Sequence, residues 1–503
     1  VGYHPLTVDV LGALIGLHSS ERPYAAWRAQ LDHPSADALR LGERLAEELP
    51  TGSARYVGTV LRASLDGLAP EALDLLLLSV SLAEAPIPAA LAVAVLTRLA
   101  AGDGAAAELR WTMGVDAGVS RSLLERKQAE APQYAVHPVV RRVLRYEGDT
   151  GRVGVLREAA LAAVLEQFDG VDDITNHRRI APLVPHAKTL GRPLATQAEQ
   201  GMEGVVAHFH YVRGDYPEAR RLYERALEAK TRLLGEEHPD TLSTLQNLAV
   251  TLQAQGDLPG ARRLYERALE AMTRLLGEEH PDTLNTLQNL AGTLYAQGDL
   301  PGARRLFERA LEARTRLLGD EHPDTLNTLQ NLAVTLEAQG DLPGARRLYE
   351  RALEAMTRLL GEEHPDTLAT LQNLAGTLYA QGDLPGARRL LERALEARTR
   401  LLGEEHPDTL ATLQNLALTL QAQGDLPGAR RLYERALEAM TRLLGEEHPD
   451  TAMTRWNLVL TLRRVDPAAA APHLIVLRRL SYRPAEGLSA VEKRILAALP
   501  SLE

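Results

Sequence analysis

Histidine is the residue type whose repetition first suggests a metal. The string His-Pro-Asp-Thr stands at His238, His280, His322, His364, His406 and His448, always 42 residues apart. Imidazoles that share a zinc ion each lie about 2 Å from it, whereas stacked helical units repeat at about 10 Å, so this regular interval argues against a shared ion. Directly before Pro-Asp, the histidines suit the start of a helix instead. The chain contains no cysteine, which removes thiolate ligands, cysteine nucleophiles and disulfides together and fits a cytoplasmic location. No Gly-x-x-x-x-Gly-Lys-Ser/Thr string occurs in the 503 residues, so nothing in them can cradle a triphosphate and its magnesium. With no nucleophile, acid–base pair or metal cluster at useful spacing, the sequence points to no catalytic residue, no cofactor and no enzyme.

Amides are the polar groups that recur. Gln246 and Asn247 are unchanged in all five full copies of the unit, giving a series Asn247, Asn289, Asn331, Asn373 and Asn415, with Asn457 beyond. Differences between copies gather beside them. One position reads Ser243, Asn285, Asn327, Ala369, Ala411; a second Val250, Gly292, Val334, Gly376, Leu418; a third Gln253, Tyr295, Glu337, Tyr379, Gln421. Offsets of seven and three put all of them on one stripe of a helix. Fixed amides can both donate to and accept from an extended peptide backbone, and the varying neighbours would then set side-chain preference. Tyr295 and Tyr379 are the expected anchors, being large, amphipathic and low in rotamer entropy. A solvated face that has drifted is the competing account. Met272, Arg314, Met356, Arg398 and Met440 alternate too, a sign of duplication of an 84-residue block, so part of the variation is history.

These stripes need helices to carry them. Leu245, Leu248, Ala249 and Leu252 follow helical spacing, and Ala261, Tyr265, Ala268 and Leu269 do so again after a break at Gly256-Asp257-Leu258-Pro259. There Gly256 suits a left-handed helix end, Asp257 a cap, and Pro259 a first turn. A second break at Gly277-Glu278-Glu279-His280-Pro281-Asp282 has the same logic. Self-similarity at this period means stacked helical hairpins. Leu245, Leu248, Ala249, Leu252, Gly256, Ala261, Tyr265 and Ala268 resemble the large–small pattern of the tetratricopeptide repeat (TPR), in the long form found in kinesin light chains and many bacterial regulators. That resemblance implies an all-α dominated fold, a right-handed TPR superhelix whose concave groove takes a protein or peptide ligand.

Hydrophobic residues make up 45% and aromatics 4% of the chain, a helical composition. Net charge is -11, and residues 238–279 hold six acids against four arginines, which argues against nucleic acid as a partner. Arg262-Arg263, interleaved with Glu266 and Glu270, reads as a solvated charged face. The apolar stretch 75–96 is interrupted by Glu84, Pro86 and Pro88 and is expected not to span a membrane. Because the chain opens at Val1, it reads as a piece of something longer.

Ahead of the array, residues 61–68, 70–82, 87–99, 123–130 and 138–145 read as helices of a small domain. The Arg62-Ala63-Ser64-Leu65-Asp66-Gly67-Leu68 string, the apolar run 75–82 and Tyr134-Ala135-Val136-His137-Pro138-Val139-Val140-Arg141 resemble the winged-helix module of STAND-class signal-transduction ATPases with an NB-ARC core. Gly2-Tyr3-His4-Pro5-Leu6 with Val10-Leu11-Gly12 resembles the Gly-x-Pro-Leu segment of that family. The resemblance implies that Pro5 packs on adenine and His137 reaches the β-phosphate of ADP. It also implies upstream NB-ARC and effector domains, ADP or ATP in a longer protein, and oligomerisation on activation. Expected boundaries are 1–55 for the end of an NB-ARC-like module, 56–150 for a winged-helix-like domain and 151–199 for a helical linker. The TPR solenoid follows at 200–466 and a C-terminal helical cap at 467–503. The first unit, residues 201–237, is degenerate in its first helix at Val205, His208 and Tyr211, although Gly214-Asp215-Tyr216-Pro217 keeps the turn.

Overall fold

The computed structural model describes residues 70–100, 103–120, 123–127, 129–136, 140–141, 144–145, 149–484 and 487–502, with isolated positions at 65 and 68. The expectations for residues 1–55, Pro5 and His137 lie outside the described residues. The chain falls into two compact units that divide between Leu264 and Tyr265.

In the first unit, α1 (Pro70–Ser81), β1 (Ile87–Pro88), α2 (Ala89–Leu99), α3 (Gly104–Ser120), β2 (Leu124–Lys127) and β3 (Gln133–Val136) form a small mixed domain. Its antiparallel sheet has the order β1-β3-β2, with Leu124 opposite Val136 and Ile87 opposite Tyr134. Residues 123–130 are therefore not a helix. Among the described residues there, only Leu123 and Leu124 are buried, and the charged Glu125-Arg126-Lys127 run pairs with β3 as an edge strand, which a helical face could not use. Helix α3 escaped the sequence pattern because its core residues Ala107, Trp111 and Val115 are spaced among exposed Leu109 and Met113. Trp111 meets Tyr134 edge-on with ring centroids 5.2 Å apart. Helix α4 (Thr150–Gln167) buries Leu156, Ala160, Leu161 and Val164 against α1 and α2, and Arg152 Nε donates to Asp74 Oδ1 at 2.7 Å.

After α5 (Val184–Leu190) come α6 (Gln197–Val212), α7 (Tyr216–Leu234) and α8 (Pro239–Ala254). The buried face of α6 includes Glu199, Met202, Glu203, Val206 and Phe209, while Val205, His208 and Tyr211 are half-buried. Two carboxylates occupy that face, held by Arg157 and Arg225 at 2.7 and 2.8 Å, a composition that apolar spacing does not reveal. Burial pushes the Glu203 carboxyl up despite Arg225.

Helix α9 (Leu258–Leu276) carries the division between units. The second unit continues as the hairpins α10–α11 (Pro281–Ala296, Leu300–Leu318), α12–α13 (Pro323–Ala338, Leu342–Leu360), α14–α15 (Pro365–Ala380, Leu384–Leu402) and α16–α17 (Pro407–Gln423, Leu426–Leu444). It closes with α18 (Pro449–Val465), α19 (Pro467–Arg478) and α20 (Ala490–Ala498), the last two packed on α18. This is a solenoid of stacked TPR helix pairs. The turns of these four hairpins each use a left-handed glycine such as Gly298, φ 83°, followed by an aspartate cap: Asp299 Oδ1 accepts from Gly302 N at 3.0 Å. Each first helix is capped by its histidine, as where His322 Nδ1 accepts from Asp324 N at 3.2 Å. Among the described residues no helix is long and apolar enough to cross a membrane.

Candidate functional site

Each first helix buries leucine, alanine and threonine on one side. In α12 these are Leu326, Thr328, Leu329, Leu332, Ala333, Thr335 and Leu336. The threonines were not legible as core residues, because a hydroxyl counts as polar; yet Thr335 Oγ1 donates to its own helix at Asn331 O, 2.8 Å away, and so can be buried. First helices of neighbouring hairpins approach one another directly, α10 to α12, α14 to α16 and α16 to α18. The first helices of this unit therefore stand beside one another along one side.

On that side Asn289, Asn373 and Asn415 are exposed and Asn331 is half-buried, its Nδ2 donating to Asn327 Oδ1 at 3.0 Å. Asn285, Asn327, Ala369, Val334, Gly376 and Leu418 are exposed alongside, and Gly292 is half-buried. Tyr295 is 36% exposed, while Tyr379, Glu337 and Gln421 are half-buried. In the first unit α8 has the same layout, with Asn247 and Ser243 exposed and Gln246, Val250 and Gln253 half-buried. The single stripe expected from the offsets is thus two adjacent rows. Position 247 and its equivalents face outward; 246 and 253 with theirs turn toward the neighbouring hairpin.

That second row is set by a residue of the second helix. Arg314 is 3% exposed, and its hydrogen bonds go to neutral oxygens. Its guanidinium donates to Gln288 Oε1, Asn285 Oδ1, Asp324 O at 3.1 Å and Thr328 Oγ1 at 2.6 Å. Arg398 repeats this with Gln372 Oε1, Asp408 O at 3.1 Å and Thr412 Oγ1 at 2.7 Å. Burial lowers the pKa of both arginines, with Asp324 and Asp408 opposing; a guanidinium remains a cation nonetheless. Lys230, at the equivalent place in the first unit, donates to Thr244 Oγ1 at 2.8 Å and Asp240 O at 3.3 Å. In the intervening hairpins Met356 and Met440 accept from Thr370 and Thr454 hydroxyls at 3.2 Å.

Glu337 Oε2 accepts from Thr377 Oγ1 at 3.4 Å, and burial raises its carboxyl above the ordinary range against that hydrogen bond. The second helices face elsewhere. Their arginines pair within the helix and across hairpins, as Arg351 with Asp320 at 3.1 Å and Arg346 with Glu350 at 2.8 Å and Asp383 at 3.8 Å. These exposed pairs make a solvated charged face of small energetic weight. Two features went unread in the sequence: the exposed leucine pairs Leu317-Leu318, Leu359-Leu360 and Leu401-Leu402 at the ends of the second helices, and a cavity of about 340 Å³ in the first unit beside Glu84, Ile87 and Arg141. Among the described residues no group of three His, Asp or Glu side chains is placed to hold a metal.

A tetratricopeptide repeat model matches at residues 201–274, 247–316, 285–357, 331–400, 372–440 and 411–475. Among solved structures, one similar to this chain is a protein of nearly identical TPR-like repeats, assigned as a kinesin light chain, from Podospora anserina; identity is 30%, covering 41% of this chain and 97% of that one, with TM-score 0.39. BtubC (BKLC) from P. vanneervenii is similar at 26% identity over 46% of this chain and 92% of its own, TM-score 0.41. A STAND protein with a tetratricopeptide repeat sensor from Pyrococcus horikoshii is 13% identical over 90% of this chain and 67% of its own, TM-score 0.48. No curated protein matches the chain.

Proposed function

Because the chain belongs to the tetratricopeptide repeat family, we propose that the face lined by the first helices of its hairpins binds an extended segment of another protein. One observation carries this: in the second unit the asparagine of each full repeat lies outward, exposed or half-buried, on the side where first helices approach, with the variable positions next to it. Amides so placed match the alternating donors and acceptors of a peptide backbone. The site comprises Asn289, Asn331, Asn373 and Asn415 of the second unit, with Tyr295 and Tyr379 as anchors. The test compares what the intact chain and a Tyr295→Ala, Tyr379→Ala variant retain. Proteins held by the former and lost from the latter at equal helicity support the site, and identical retention and affinity exclude it.

A finer reading makes this the sensing half of a STAND-class NB-ARC regulator in which ligand binding is relayed to a nucleotide switch upstream. Its support is the resemblance of the residues before the array, together with an antiparallel sheet of order β1-β3-β2 and the helices α1 to α3 around it. Pro5 and His137 would then touch nucleotide. A scaffold or cargo adaptor without a switch is the alternative. The two separate on the complete protein: tightly held ADP, released on ligand binding, supports the switch, and a complete reading frame without a P-loop removes it.

A further inference from the structure

One glutamine recurs in α10, α12, α14 and α16, yet its amide points in opposite senses in alternate hairpins. Gln288 turns its carbonyl inward, where Arg314 donates to Oε1 and Thr328 Oγ1 lies 2.9 Å from it; its Nε2 is directed away and donates to Asn327 Oδ1 at 2.7 Å. One hairpin on, Met356 replaces the arginine and Gln330 is reversed. Its Nε2 points inward, donating to Thr370 Oγ1 at 2.6 Å and lying 3.6 Å from Met356 Sδ. The pair then repeats. Arg398 holds Gln372 by Oε1, with Thr412 Oγ1 at 3.3 Å, whereas Gln414 sends Nε2 to Thr454 Oγ1 and lies 3.4 Å from Met440 Sδ.

Chemistry dictates the two senses. A guanidinium has donors only, so the amide atom facing it must be oxygen; a thioether accepts, so beside it the NH2 group is favoured. A planar amide that shows one end inward shows the other outward.

We propose that Arg314 and Arg398 are specificity-determining residues: they turn Gln288 and Gln372 to offer N–H toward the binding face, while Met356 and Met440 leave Gln330 and Gln414 offering a carbonyl. Hydrogen bonding along the face then alternates with the 84-residue period of the sequence. The side-chain variation keeps the same phase. Hairpins that offer N–H carry Gly292 with Tyr295 or Gly376 with Tyr379; those that offer a carbonyl carry Val334 with Glu337 or Leu418 with Gln421. A Cβ built on Gly292 or Gly376 would meet nothing within 4 Å, so each glycine leaves a notch one turn from a tyrosine. Two hairpins span about 20 Å, the length of about six extended residues. The matching ligand is an extended polypeptide that sets a small apolar side chain into a notch every six residues or so, its backbone carbonyl beside the N–H hairpin and its backbone N–H beside the next.

This rests on the binding face described above, and the experiment keeps the two apart. Arg398→Met, alone and with Arg314→Met, installs the residue that sibling hairpins already carry, and circular dichroism checks the fold. Side-chain amide exchange with solvent is read by 15N spectroscopy, with single glutamine variants giving the assignments. Gln372 is the clean reporter, because Ala411 stands where Gln288 has Asn327. Its NH2 is expected to exchange faster than those of Gln330 and Gln414 in the parent and to slow about tenfold in the variant, the effect of one hydrogen bond. Unchanged exchange overturns the proposal. For specificity, random twelve-residue peptides are displayed against parent and double variant. A six-residue spacing selected by the parent and lost on the variant supports it; the same peptides at the same affinity on both overturn it. Peptides selected by neither, with the exchange shift present, would sink the binding face and the ligand half while leaving the amide reversal standing.

Discussion

Hairpins α10–α11 and α12–α13 have the same caps, turns and helix lengths, yet one buries a guanidinium where the other buries a thioether. The first satisfies its cation with an amide oxygen, a hydroxyl and a backbone carbonyl, and the second fills the space with a soft side chain that accepts from the same threonine position. Backbone geometry is indifferent to the choice. What changes is which atoms of Gln288 and Gln330 are free to face outward, so a residue of the second helix edits a surface formed by the first.

Stability measurements can break this comparison. The largest effect is expected for Arg314→Ala, which removes the guanidinium from which Gln288 Oε1, Asn285 Oδ1 and Thr328 Oγ1 accept and opens a void; a loss of about 2–4 kcal/mol in urea unfolding, localised to α10–α12 by hydrogen exchange, is expected. Arg314→Met should stay within about 1 kcal/mol of the parent or exceed it, because a buried ion replaced by a packed apolar side chain is often neutral or better. Equal losses for both variants would mean that the charge itself is required.

Much of this was visible in residues alone. The period, the two breaks per unit, the left-handed glycine, the aspartate cap and the inward leucines are local signals, and each acts over one turn of chain. The orientation of a groove residue is not local. Gln288 is held by Arg314, 26 residues away, and Thr328, 40 residues away, and the Met–Arg alternation looked like duplication history because nothing in one helix says what it touches in the next. The strand at Leu124–Lys127 and the burial of Glu199 and Glu203 were not legible for the same reason: long-range pairing with β3, Arg157 and Arg225 overrode local polarity.

Two smaller tests sharpen the contrast between the hairpin types. Gly292→Ala meets open space inside a helix and should raise stability by about 0.5–1 kcal/mol; a gain in melting temperature together with weakened peptide binding would show that the notch is kept for recognition. Glu337 belongs to the other type. Its folded pKa is raised by burial, so its contribution is fully present below the carboxyl's unfolded value near 4.5 and is lost as pH rises through the folded value. Glu337→Gln should therefore be slightly more stable than the parent at neutral pH, with the difference vanishing in acid; a pH-independent difference in urea midpoints would refute this.

The pairing of hairpin types also governs how such an array can change length. Crossing-over between misaligned copies that removes 84 residues keeps every contact and the order of amide senses along the face, like shortening a printed ribbon by one whole pattern. Removing 42 keeps the packing but sets two hairpins of one type side by side, and a ligand that fitted before meets the wrong polarity from that point on. Folding tolerates either step; recognition distinguishes them.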